Sequence, residues 1–73
     1  MVEVFKTNIE LEKEAGLVLK TIEKRVPNYR ITFDLEDCDR ILRVESGSQI
    51  NSNLIIKEVS ALGFQASILP DES

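Results

Sequence analysis

The chain has 73 residues, 13 of them acidic against 9 basic for a net charge of −4, and it contains no histidine. That length leaves room for one domain only. The acidic balance excludes the basic stripe of a nucleic-acid binder, and the lack of histidine removes the usual general base, pH switch and commonest metal ligand together. Hydrophobic residues make up 42% of the chain, enough for one core and too many for a disordered segment. No apolar run approaches the roughly 18 residues of a membrane span. The N-terminal residues are charged and strand-like, without the apolar centre of a signal peptide. Cys38 is the single cysteine, so no internal disulfide can form and a reducing compartment fits best. The expectation is a cytoplasmic protein.

Residues 2–6 are rich in β-formers and predict a short strand. Thr7-Asn8-Ile9-Glu10 then reads as a capping box, with Asn8 as the alternative cap, and either starts a helix near residue 8 or 9. Apolar residues follow at Leu11, Ala15, Val18, Ile22 and Val26, in steps of four, three, four and four. That spacing holds them on one helical face, which Leu19 widens. Glutamates gather toward the helix start and Lys24 and Arg25 toward its end, as the helix dipole favours. Pro27 cannot continue the helix and pushes Val26 out of helical angles. Gly16 inside this helix costs about 1 kcal/mol relative to alanine, and Leu17 lies off the apolar stripe. Leu17 reads either as an isolated exposed leucine or as a contact for a partner that approaches over Gly16.

Tyr29, Ile31, Phe33 and Leu35 alternate with Arg30, Thr32 and Asp34, the pattern of a strand with one buried face. Glu36-Asp37-Cys38-Asp39 is a polar, turn-prone link. Leu42 and Val44 then alternate with Ile41, Arg43 and Glu45, so the two strands form a hairpin. After the Ser46-Gly47-Ser48-Gln49 loop, Asn51 is placed to cap a second helix, with Ile50 stapled on Ile55. Ile55, Val59 and Leu62 form its inner stripe. Gly63 suits the left-handed position just past the helix end, with Phe64 folding back on Val59 in a Schellman motif. Phe64, Ala66 and Ile68 predict a last strand, which Pro70 ends. The order β-α-β-β-α-β predicts an α+β, ferredoxin-like sandwich, a four-stranded antiparallel sheet with two helices on one face. Residues 1–70 form this single domain and 71–73 a frayed tail.

Over roughly residues 2–69 the chain resembles heavy-metal-associated domains, the small modules of copper chaperones and metal-pumping ATPases. The resemblance rests on Asn28-Tyr29 leading into Ile31-Thr32-Phe33-Asp34-Leu35, on Leu42-Arg43-Val44, and on the Gly63-Phe64 pair after the second helix. Phe5-Lys6-Thr7-Asn8-Ile9 and Leu42-Arg43-Val44-Glu45-Ser46 are also similar to strings in small stand-alone bacterial members. The family's metal loop is Met-x-Cys-x-x-Cys between the first strand and first helix. With Ile9 at the methionine position, Leu11 and Glu14 take the two cysteine positions, and neither offers a thiolate. Soft Cu(I) needs sulfur ligands, and zinc sites of this kind need thiolate or imidazole. The resemblance therefore implies the fold, while the metal chemistry has no ligands at its usual place.

Elsewhere the chemistry is sparse. Asp37 and Asp39 flank Cys38 and disfavour its thiolate, and no histidine is present to activate it. Asp34, Glu36, Asp37 and Asp39 make an acidic hairpin turn without EF-hand spacing, read as a solvated charge cluster with weak cation affinity at most. Ser46-Gly47-Ser48 is an ordinary loop, since no Gly-Lys-Ser/Thr follows to make a phosphate site. The sheet offers more. In this fold the first and third strands are central and one face is uncovered. The resemblance puts Phe5 and Ile9 inside and so turns Val4 outward. Ile41 faces out beside it, among Arg30, Thr32, Arg43, Glu45 and Ser67.

These observations predict a non-catalytic interaction module that uses no cofactor, with Val4, Ile41 and Leu17 as candidate interface residues. Its partner is another protein or a second copy, not nucleic acid or a membrane. A different class of reading is a metal carrier with relocated ligands such as Cys38. A third, by analogy of topology alone, is a small-ligand sensor like amino-acid-binding regulatory domains, though no glycine-rich ligand loop is present.

Overall fold

The computed structural model describes residues 1–35 and 40–69. The elements run β1 (Val2–Thr7), α1 (Glu12–Arg25), β2 (Arg30–Asp34), β3 (Ile41–Glu45), α2 (Ser52–Ala61) and β4 (Ala66–Ile68). All four strands join one antiparallel sheet in the order β2-β3-β1-β4, the ferredoxin-like arrangement that the β-α-β-β-α-β pattern predicts. β1 and β3 are the central strands, and Phe5 stands opposite Leu42 between them. The acidic turn with Cys38, and the tail from Pro70, lie outside the described residues. Among those described, no helix is long and apolar enough to cross a membrane.

The core follows the two periodicities. Phe5, Leu42, Val44 and Ile31 leave the sheet on one face, and Ala15, Val18 and Ile22 of α1 meet Ile55 and Val59 of α2 above them. Phe5, Val18, Leu42, Val44, Ile55 and Val59 have no exposed surface at all. Ile9, in the link between β1 and α1, is equally buried. Tyr29, Phe33, Leu62 and Phe64 pack on the rim of the same cluster. The helices touch each other, α1 lying over β2 and α2 over β4. Arg25 of α1 reaches Glu58 of α2 at 3.2 Å.

The start of α1 differs from the sequence expectation. Thr7-Asn8-Ile9-Glu10 forms no capping box, and the helix begins at Glu12. Thr7 is still in β1; its hydroxyl donates to the Arg40 carbonyl at 2.6 Å and accepts the Ile9 N–H at 3.2 Å. The Asn8 side chain accepts the Gln65 N–H at 2.8 Å, and the Asn8 N–H donates back to the Gln65 carbonyl at 3.3 Å. Both would-be caps are thus spent on tertiary contacts. Glu14 takes over, its carboxylate accepting the N–H groups of Glu10 and Leu11 at 3.4 and 3.3 Å. Leu11, which its spacing places on the buried stripe, is instead the exposed N-cap residue. The strands also shift at their ends: the first extends to Thr7, the second is confined to Arg30–Asp34, and the last starts at Ala66 rather than Phe64.

The second helix follows its sequence signals. The Asn51 side chain accepts the Leu54 N–H at 3.2 Å, and Ile50 and Ile55 are both in the core. At the other end Phe64 N–H donates to the Val59 carbonyl at 3.2 Å and Gly63 N–H to the Ser60 carbonyl at 3.0 Å, the two bonds of a Schellman motif. Gly63 has φ +91°.

Gly16, within α1, and Gly63, just past the end of α2, make a controlled pair. A Cβ added at either Gly16 or Gly63 would meet nothing within 4 Å, so backbone conformation alone separates them. Gly16→Ala is expected to stabilise the fold by about 0.5–1 kcal/mol by raising helix propensity. Gly63→Ala is expected to destabilise it by about 1–2 kcal/mol, because an L side chain resists the left-handed region. Urea unfolding midpoints at unchanged slope report both signs.

Candidate functional site

Residues that alternate with the core set face away from the helices. From β1 these are Val2, Val4 and Lys6; from β3, Ile41, Arg43 and Glu45; from β2, Arg30, Thr32 and Asp34; from β4, Ser67. The ladder places them on a grid. Val4 stands opposite Arg43, and Ile41 stands between Lys6 on one side and Asp34 on the other. Val4 and Ile41 are therefore diagonal neighbours on the two central strands, close enough for side-chain contact. Both are half-buried among mostly polar neighbours, as their position between flanking strands dictates. Arg43 and Glu45 approach to 4.0 Å with both side chains well exposed, which makes the pair weak.

Two further apolar residues extend the spot. Val2 lies two positions before Val4 on the same face and is 46% exposed. Leu69 donates its N–H to the Val4 carbonyl at 2.8 Å, which continues the β4 ladder and sets Leu69 beside Val4. Sequence reasoning missed Leu69 because it ended the last strand at Ile68. The signal was present in the step from Ser67 to Leu69, which keeps to the uncovered face.

Leu17 is not part of this surface. It sits on the outer side of α1 with 51% of its surface exposed, across the molecule from Val4 and Ile41. It lines an open depression with Lys20, Thr21, Lys24, Arg25 and Glu58. Gly16, its neighbour, has open space over its Cα, so no contact among the described residues requires a glycine there.

Leu11 and Glu14, the positions expected in place of metal-loop cysteines, take part in capping α1. Leu11 is the helix N-cap residue and Glu14 its capping carboxylate. Among the described residues no group of three or more His, Cys, Asp or Glu side chains converges on one point. Cys38 with Glu36, Asp37 and Asp39 lies outside them; Asp34 stands at the end of β2 on the uncovered face. In the Ser46-Gly47-Ser48 loop, the Ser46 hydroxyl accepts the Ser48 N–H at 3.1 Å, closing a small local turn. A depression at the β4 side, about 400 Å³, is open and bordered by Lys6, Asn8, Ser60, Phe64 and Gln65. It collects no set of catalytic groups.

Compared with protein-family models, characterised proteins and solved structures, the chain matches none.

Adjacent residues on β3 report which face is which. Leu42→Ala is expected to cost about 2–5 kcal/mol, through lost burial and a residual cavity. That is most of the stability of a domain this small, on the order of 5 kcal/mol. Ile41→Thr, one position away, is expected to change stability by less than about 1 kcal/mol. Equal losses in thermal or urea unfolding would mean that the uncovered face is packed against something.

Proposed function

We propose that this chain is a non-catalytic protein-interaction module, similar to heavy-metal-associated domains but without their metal ligands, which binds a protein partner through its uncovered sheet face. The observation that carries this reading is the diagonal placement of Val4 and Ile41 on the two central strands of that face. Val2 and Leu69 enlarge the apolar spot, and Arg30, Arg43, Glu45 and Asp34 frame it. An apolar centre with a charged rim is the usual anatomy of a protein-binding patch. The aromatic residues support a protein rather than a nucleic acid as partner. Phe5 is in the core and Tyr29, Phe33 and Phe64 pack against it, whereas RNA-binding sheets of this topology present stacking aromatics on the open face.

The test is retention of a partner. The wild-type protein, recovered from the cell that makes it, is expected to retain a protein that the Val4→Lys/Ile41→Lys double variant loses while still unfolding in one cooperative transition. Identical sets of retained proteins would remove this face as the interface.

The rival reading, a metal carrier using Cys38, separates cleanly in a titration. The reduced protein is expected not to compete for Cu(I) or Zn²⁺ against a chelator of micromolar affinity. Tight binding of whole-number stoichiometry that Cys38→Ser abolishes would establish the carrier in place of the module.

A further inference from the structure

The sheet has two edges, and they are not alike. β4 has three residues, short enough to be a poor template for another strand, and the sequence brings Pro70 soon after it. β2 has five residues, Arg30 to Asp34, with no proline, and its register with β3 runs without a bulge. Proteins usually blunt such an edge. Here, among the described residues, no strand pairs with its outer side.

The hydrogen-bonding phase of the ladder shows what that edge offers. Ser46 N–H donates to the Met1 carbonyl and Leu69 N–H to the Val4 carbonyl. Odd residues of β1 thus face β3, and even residues face β4. Antiparallel alternation carried through the Val4–Arg43 and Arg43–Thr32 pairs turns Arg30, Thr32 and Asp34 toward β3. Ile31 and Phe33 then direct their backbone N–H and C=O groups outward.

We propose that two copies of this chain associate edge to edge through β2, antiparallel about a two-fold axis at Thr32, so that Arg30 of each copy meets Asp34 of the other. The register follows from the sequence of the strand. A centre at Thr32 sets Ile31 opposite Phe33 of the second copy, and those two residues exchange both backbone hydrogen bonds, twice over by symmetry. The next pair outward is Arg30 with Asp34, on the uncovered face, where opposite charges across antiparallel strands attract. The charges that would repel a stranger are therefore self-complementary. Moving the centre to Ile31 or to Phe33 sets Arg30 or Asp34, respectively, against Thr32 and forfeits both ion pairs. Asp34 already takes part in a contact within its own chain, and a carboxylate accepts several donors at once.

The helix layer leaves room for the second copy. Arg25 faces α2, where it meets Glu58. Gly16 precedes Arg25 by nine positions, two and a half helical turns, which puts it on the opposite flank of α1, above the β2 edge. The absent side chain clears the side from which the second α1 would approach, and no described residue lies within 4 Å of the position a Cβ would take there. This dimer goes beyond the interaction-module reading and uses a different surface, an edge rather than a face.

Sedimentation equilibrium from micromolar to millimolar concentration tests it. The wild type is expected to be a reversible dimer that weakens as salt rises. Arg30→Asp and Asp34→Arg are each expected to raise the dimer dissociation constant by about tenfold or more, by placing two like-charge pairs in the interface. Both sites are exposed, so folding, checked by circular dichroism, is expected to persist. The Arg30→Asp/Asp34→Arg double variant restores both ion pairs and is expected to dimerise again, and an equimolar mixture of the two single variants is expected to form a heterodimer. A wild type that stays monomeric throughout overturns the proposal, as does a dimer that either single variant leaves unchanged or that the double variant fails to recover. A dimer lost only in Val4→Lys/Ile41→Lys likewise overturns it and assigns self-association to the uncovered face.

Discussion

Phe5 of β1 stands opposite Leu42 of β3, and that register decides which side of the sheet every other side chain takes. Both residues are fully buried beneath the helices. Because strand side chains alternate, a slip of one residue would turn Phe5 and Leu42 into water and bring Val4 and Arg43 under α1 and α2. The penalty for burying Arg43 without a partner makes that alternative prohibitive. The uncovered face is the complement of this one choice: Val4 and Ile41 are out because Phe5 and Leu42 are in.

The periodicities carried most of the fold. Alternation in residues 29–35 and 41–45 located the hairpin, and the spacing of Ala15, Val18 and Ile22 located the buried side of α1. Asn51 and Gly63 marked both ends of α2 through local chemistry that acts within five residues. The link from β1 to α1 was not legible in the same way. Thr7 and Asn8 have the hydroxyl and amide of good helix caps, but their partners are Arg40 and Gln65, 33 and 57 residues away. A side chain with several ways to bond does not disclose which it will use until the tertiary structure supplies the alternatives. Arg40 itself has φ +50°, and the Thr7 hydroxyl holds its carbonyl in that sparsely populated conformation. The expected helix start therefore moved, and Leu11 went from stripe to surface with it.

That same link is where the proposed likeness to heavy-metal-associated domains would require a metal loop. Their metal loop needs two thiolates close to the first turn of the first helix. Here the first turn is stabilised by the carboxylate of Glu14, which accepts the N–H groups of Glu10 and Leu11, a favourable place for negative charge at a helix N-terminus. A residue that caps the helix is held by the helix. The position thus has a structural use of its own at the start of α1.

Surface chemistry divides this small domain into a face and an edge with different requirements. The face, around Val4, Ile41, Val2 and Leu69, offers apolar area and little directional bonding, so its specificity must come from the charged rim. The edge offers the reverse: the outward backbone groups of Ile31 and Phe33 bond to any strand, and selection falls to the side chains that flank them. Arg30 and Asp34 are equally spaced from Thr32 and opposite in sign, and two copies related by a two-fold axis are the simplest partner to satisfy both. A pair of like charges at those positions would have protected the edge against self-pairing at no cost to the core. Their opposite signs instead make the strand complementary to a second copy of itself in the register centred on Thr32.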